Sequence, residues 1–335
     1  MDKIGAAVWS TGHAGRVIVE AGLTRPWLEF RGGIVYDRAK EGLDLGRACG
    51  LDGEVGATVS ADIDAVLARP DIDVVFYTGI GTPTEVAAAC LRANQAGKDA
   101  ITVAGLVHPR TILGAAAAAE LDAGARAAGQ RILGTGFWDY LTITLPLASI
   151  SNVLTFDEIR LERVADLTFW GHGILHDEGI GGPIEAAGGG FMMRNFLVEA
   201  LMLLGESCGL ELDEPVFESV PVLTDVRRER AGFTAEPGTI CGHDRRVSAN
   251  VRGGGRLVSL WRGRFDLQLE RDGMEGSAKV VVEGDPAFET IVRGDLFLDT
   301  YPPTGARAMA AVRPLMALAP GLHTIDELGQ RPVFR

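Results

Sequence analysis

Six residues near the start of the chain, Ser10-Thr11-Gly12-His13-Ala14-Gly15, have the types and spacing of a phosphate-holding turn. Against the dinucleotide pattern G-x-G-x-x-G only Ser10 departs, standing where the first glycine would be. Gly12 lets the backbone approach a pyrophosphate, and Gly15 lets the next helix pack closely on the preceding strand. The N-terminus of that helix offers unbonded N–H groups and the positive end of its dipole. Asp37 lies 22 residues beyond Gly15, at the end of the apolar run Gly33-Ile34-Val35-Tyr36, where an acid can bond a ribose hydroxyl. Arg38 and Lys40 stand beside it and could pair a 2′-phosphate or belong to a solvated loop. Both NAD and NADP therefore stay open.

Two further loops are candidates to border the cofactor. Thr78-Gly79-Ile80-Gly81 and Val103-Ala104-Gly105 each follow an apolar run, and ligands of open α/β sheets bind beyond the carboxyl ends of strands. Gly136, after the run Arg131–Gly134, belongs to the same set. Candidate proton donors are His176, His108 and Asp139, in that order, because histidine titrates near neutral pH and a buried acid can be tuned there. His172 and His176 are four apart, so on a helix both rings would face one side. Gly171 and Gly173 weaken such a helix and no H-E-x-x-H pattern occurs, so no metal site is expected. Trp138, Tyr140, Phe169, His172 and Met192 are the candidates for lining a substrate pocket.

The elements that must position these residues alternate. Strand and helix patterns follow each other through residue 134, with helices at Thr84–Ala96 and over the alanine-rich stretch Ile112–Ala128, which predicts a doubly wound parallel sheet. Beyond about residue 150, Phe156–Val164, Leu257–Leu269 and Ser277–Glu283 alternate apolar and polar residues, the period of strands with one wet face. Helices are expected around Arg194–Leu204 and Thr304–Leu318. The fold class is α/β: a dinucleotide-binding domain over 1–145, joined by a C-terminal helix over about 303–335, and an α+β domain over 146–302.

Composition narrows the function. With 335 residues, 47% hydrophobic and 23% charged, the chain is globular, and 45 acidic against 32 basic residues give a net charge of −13. Nucleic-acid binding is disfavoured by that charge. No long uncharged apolar stretch predicts a membrane span, and the N-terminus lacks the pattern of a secretory signal. The four cysteines form no C-x-x-C pair, which fits a reducing cytoplasm.

Several segments together resemble one family. V-W-S-T-G-H-A-G-R at 8–16, Y-D-R-A-K-E-G-L-D-L-G-R-A-C-G at 36–50, G-T-G-F at 134–137, A-D-L-T at 165–168, P-G-T-I-C-G at 237–242 and D-T-Y-P-P-T-G-A-R-A-M at 299–309 are similar to the 2,4-diaminopentanoate dehydrogenases and native amine dehydrogenases, relatives of dihydrodipicolinate reductase. The resemblance spans nearly the whole chain. It implies a Rossmann domain, a substrate and dimerisation domain, a homodimer, and NAD(P) meeting an amine or ketone in an interdomain cleft. Two departures bear on chemistry. The family's glutamate after the strand ending near Thr102 is replaced by Ala104-Gly105, and an expected Asn-Pro-Gly stretch is replaced by Trp138-Asp139-Tyr140. The paired histidines and dicarboxylate-holding residues of dihydrodipicolinate reductase have no counterpart around 164–185.

The resulting expectation is an NAD(P)-dependent oxidoreductase acting on a small to mid-sized apolar carbonyl/alcohol or imine/amine substrate. The missing glutamate tilts it toward carbonyl or preformed-imine reduction. The rivals are a true amine dehydrogenase with a relocated acid and a non-catalytic dinucleotide-binding regulator.

Overall fold

The computed structural model describes residues 3–186 and 191–329, the side chain of residue 191 excepted. The chain divides into two compact units, Met1–Tyr140 with Tyr301–Arg335, and Leu141–Thr300. The division falls a few residues earlier than the domain limits drawn from the sequence, at both crossings.

In the first unit, β1 (Ile4–Trp9), β2 (Leu28–Ile34), β3 (Val59–Ser60), β4 (Val74–Tyr77), β5 (Asp99–Thr102) and β6 (Arg131–Gly134) join the late strand Gly321–His323 in a seven-stranded sheet. The order is Gly321–His323, β6, β5, β4, β1, β2, β3, and every pairing is parallel. A sheet covered on both faces needs continuously apolar strands, and Val74-Val75-Phe76-Tyr77 is buried throughout. The chain runs outward from β1 to β3, then crosses to β4 and runs the other way. The switch point therefore lies between β1 and β4, where Trp9 pairs with Tyr77.

Helix limits follow local chemistry. Thr82 and Glu85 form a reciprocal capping box and Pro83 takes the first helical position, starting Pro83–Gln95. The long helix expected over Ile112–Ala128 is instead two, Pro109–Leu113 and Ala115–Ala128. Gly114 separates them at φ +84°, a conformation that alanine propensity does not reveal. The second strand also differs: β2 begins at Leu28 and ends at Ile34, not at Tyr36. Its first half pairs only with β1, leaving Glu29 and Arg31 half-exposed on an edge. That charged pair hides the strand from a search for apolar runs. The helix Tyr301–Met316 packs along His13–Leu23. A Cβ at Gly305 would lie 2.3 Å from the Val17 carbonyl oxygen, so only glycine permits this approach.

In the second unit, β7 (Thr155–Asp166), β8 (Val216–Leu223), β11 (Ile240–Asn250), β12 (Arg256–Arg264), β13 (Ser277–Asp285) and β14 (Phe288–Arg293) form a sheet in the order β14, β13, β7, β12, β11, β8. β9 (Arg228–Arg230) and β10 (Phe233–Ala235) make a separate hairpin. Only β7 and β12 pair in parallel; the other neighbours are antiparallel. Alternation on β7 buries Ile159, Leu161, Arg163 and Ala165 and leaves Arg160 and Glu162 partly exposed. The helix Phe191–Ser207, longer than the expected Arg194–Leu204, packs against β11 and β12. Among the described residues no helix is long and apolar enough to cross a membrane.

Candidate active site

In the first unit the strand register fixes the site. Trp9, Tyr77, Thr102 and Gly134 pair in one row, so the loops beginning at Ser10, Thr78, Val103 and Thr135 leave the sheet at one edge. Ser10 takes φ +88°, the left-handed region usually left to glycine, and so performs the turn of the missing first glycine at the cost of strain. Gly12 caps His13–Leu23 with no side-chain bond to its first turn, and nothing lies within 4 Å of where its Cβ would be. A Cβ at Gly15 would lie 2.2 Å from the Ser10 carbonyl oxygen. Turn and helix therefore close on each other only through glycine, with the uncapped N–H groups left for an anion.

Neighbouring side chains brace the turn. The Thr78 hydroxyl donates toward Ser10 O at 2.8 Å and Trp9 O at 3.1 Å. Lys40 Nζ donates to Thr11 Oγ1 at 3.2 Å and to Ala48 O at 2.8 Å. The ring of the exposed His13 stands edge-on to Tyr301, 4.2 Å between centroids. Ala14 is half-buried in the first turn. Asp37 is exposed just past the end of β2, where Oδ1 accepts from Ala39 N at 2.9 Å and caps a short 3-10 turn; Arg38 is exposed beside it. Gly79 is buried, Gly81 exposed, and Ile80 between them is an apolar side chain that is 91% exposed.

The loops after β5 and β6 press together, since a Cβ at Gly134 would lie 2.2 Å from Leu106 O. Ala104 is half-buried there, its N–H bonded to Thr102 Oγ1. His108 is 5% exposed, with Nδ1 2.7 Å from Thr111 Oγ1. Gly136 is half-buried and extended. Asp139, expected as a candidate acid, is fully buried. Its carboxylate accepts from Thr135 Oγ1 at 2.6 Å, Gly136 N at 3.0 Å and Arg307 Nε at 2.9 Å. Burial pushes this carboxyl up and Arg307 opposes it. With both oxygens engaged and no exposure, Asp139 ties the loop after β6 to the helix Tyr301–Met316. Trp138 and Tyr140 beside it are half-buried.

The second unit gathers the other candidates. His172–Asp177 is helical despite its glycines, and the rings of His172 and His176 both stand edge-on to Phe233, 5.6 Å away in each case. Both histidines are exposed, and His172 Nε2 lies 3.3 Å from Ala231 O. Phe233 in turn packs on Phe265. The half-buried Phe169 lies under the Arg230 guanidinium, 5.6 Å from it. Arg230 Nη1 stands 3.8 Å from Asp166 and 3.7 Å from Asp266. Met192 is 43% exposed at the start of its helix.

Sequence reasoning missed Phe233, Arg230, Asp166 and Asp266. Only Asp166, inside A-D-L-T, carried a signal. Burial raises its carboxyl above the ordinary range against the hydrogen bonds from Thr168. Among the described residues no cluster of three or more His, Cys, Asp or Glu is arranged to hold a metal.

A parallel sheet with a glycine turn at its switch point, followed by a separate mixed sheet, defines the class: a dinucleotide-dependent oxidoreductase. The chain belongs to the 2,4-diaminopentanoate dehydrogenase family, whose C-terminal domain matches residues 137–333. It is 26% identical to an amine dehydrogenase of Streptomyces virginiae over 99% of this chain and 98% of that protein. Among solved structures it is similar to an amine dehydrogenase from Mycobacterium smegmatis, with a TM-score of 0.86 and 21% identity over 99% of this chain and 97% of the other. A probable dehydrogenase from Thermotoga maritima shares the fold at TM-score 0.60 and 11% identity, covering 97% and 92%.

Proposed function

We propose that the protein transfers a hydride between NAD(P) and a small to mid-sized apolar substrate with a C=O/C–OH or C=N/C–NH couple. The uncapped glycine turn at the switch point carries this reading. Thr11 to Gly15 would hold the pyrophosphate through backbone N–H groups, Asp37 the adenosine ribose, and Thr78 to Gly81 the face near Ile80. The fit is physical: the helix start has no side-chain cap, Gly12 has open space, and Ile80 is exposed. The nicotinamide supplies or accepts the hydride when bound. What the chain adds is orientation and a proton. We assign the proton at the substrate heteroatom to His176, held with His172 against Phe233, and keep His108 as the alternative donor. Phe169, Trp138, Tyr140 and Met192 would supply apolar walls.

A second reading, amine dehydrogenase proper, is favoured by the family and by Asp166. Its raised carboxyl, 3.8 Å from Arg230 on the hairpin whose Phe233 meets both histidine rings, is suited to the role of the glutamate that Ala104 replaces. Homodimerisation and residence in a reducing cytoplasm belong to the same proposal.

NAD(P)H oxidation with a ketone panel, with and without ammonia, separates the readings. Ammonia-independent oxidation supports carbonyl reduction. Ammonia-dependent oxidation abolished in Asp166→Asn supports the second reading, whereas cofactor binding without any turnover across amines, alcohols, imines and ketones would leave a regulator.

A further inference from the structure

On the covered face of the six-stranded sheet, Arg163 of β7 pairs across the ladder with Trp261 of β12, which pairs with Arg245 of β11. All three are buried, at 1%, 0% and 3% exposure. Arg245 is neutralised: its Nη2 bonds Glu178 Oε2, and its guanidinium lies 5.2 Å over the Trp261 ring. Among the described residues Arg163 meets no such counter-charge. Its Nη2 donates to the Ser259 hydroxyl, which is uncharged, while Nε and Nη1 find no acceptor among the described residues. Burial pushes this guanidinium down to about 9, with no carboxylate acting against the burial.

Donors without acceptors accumulate along this row. Trp261 Nε1 and Arg245 Nη1 join the two Arg163 nitrogens, whereas Glu178 Oε1 and His243 Nδ1 are among the orphaned atoms able to accept. Buried water can satisfy an N–H group, but it brings no charge, and an isolated buried cation is among the costliest features a core can carry. We infer that Arg163 is the anchor of an internal site for a small monovalent anion, held by its guanidinium on the inner face of β7. One uncompensated positive charge calls for a monovalent ion. A weakly hydrated ion suits a guanidinium, itself weakly hydrated. The inference does not depend on the hydride-transfer reading.

Bromide is the probe. Crystals of the full chain grown or soaked in bromide are expected to show an anomalous peak at the Arg163 guanidinium. In solution, the unfolding midpoint of the wild type rises as bromide replaces gluconate at constant ionic strength, and that of Arg163→Met does not. An ordered water in place of the peak, or the same bromide response in both proteins, overturns the inference. If Arg163→Met fails to fold, the presence or absence of the peak in the wild type decides alone.

Discussion

Lys40 reaches from beyond β2 to the glycine turn, its Nζ 3.2 Å from Thr11 Oγ1 and 2.8 Å from Ala48 O. A lysine spent on two acceptors within the protein is poorly placed to greet a 2′-phosphate. Its role is to fix the height of the turn. Lys40→Met is therefore expected to weaken NADH and NADPH alike, each by about tenfold for one lost charge-assisted bond. Fluorescence titration with both cofactors checks this, and a loss confined to NADPH would show that the amine meets the phosphate.

Asp37 is the residue from which cofactor choice should follow. Its carboxylate sits exposed past the end of β2, where it would bond two ribose hydroxyls or repel a phosphate. Asp37→Ser keeps a cap for Ala39 N while removing the charge. The ratio of NADPH to NADH affinity should rise by about tenfold or more, read in the same titration.

The Asp139–Arg307 pair makes a stability prediction. Removing one partner strands a buried charge, so Asp139→Leu should cost about 3–5 kcal/mol. Asp139→Leu with Arg307→Met should recover much of that loss, measured by urea unfolding. Turnover retained in the double variant would agree with the structural role; turnover abolished in a stable double variant would return Asp139 to the chemistry.

Acid should destabilise the second unit through His243. The ring is 1% exposed, and burial pushes it from 6.5 to about 4, with the Arg245 and Arg264 charges adding to the effect and the Glu178 carbonyl opposing it. A histidine with a depressed folded value stabilises the fold when neutral. Its contribution is full above the unfolded value near 6.5 and is lost as pH falls toward 4, on the order of 3 kcal/mol in all. Denaturant unfolding over this range should show the loss, and His243→Gln should flatten it.

What was legible in the sequence was local. Gly12, Gly15 and Asp37 could be read because a strand, a turn and a helix leave a change of period around them. Gly114 lay hidden in an alanine run, since a break set by one positive φ does not alter helix propensity on either side. Asp139 was legible as an acid but not as a committed one, because Arg307 is 168 residues away in the chain. The histidine pair was visible four residues apart, whereas Phe233, which both rings meet, comes from a distant hairpin. Arg163 gave no sign at all: on an alternating strand it read as one more polar position.

Gly305 ties the two ends of the chain together in time as well as space. The helix it belongs to seals the face of His13–Leu23 behind the glycine turn, at 2.3 Å between a Cβ placed on Gly305 and the Val17 carbonyl oxygen. During synthesis the N-terminal strands emerge first, yet the partner for Val17 is made nearly three hundred residues later. A nascent chain halted before Tyr301 must hold that apolar face open, so the unit begun first is completed last. Chaperone capture of such halted chains, released once residues 301–316 are made, is the expected signature of this order.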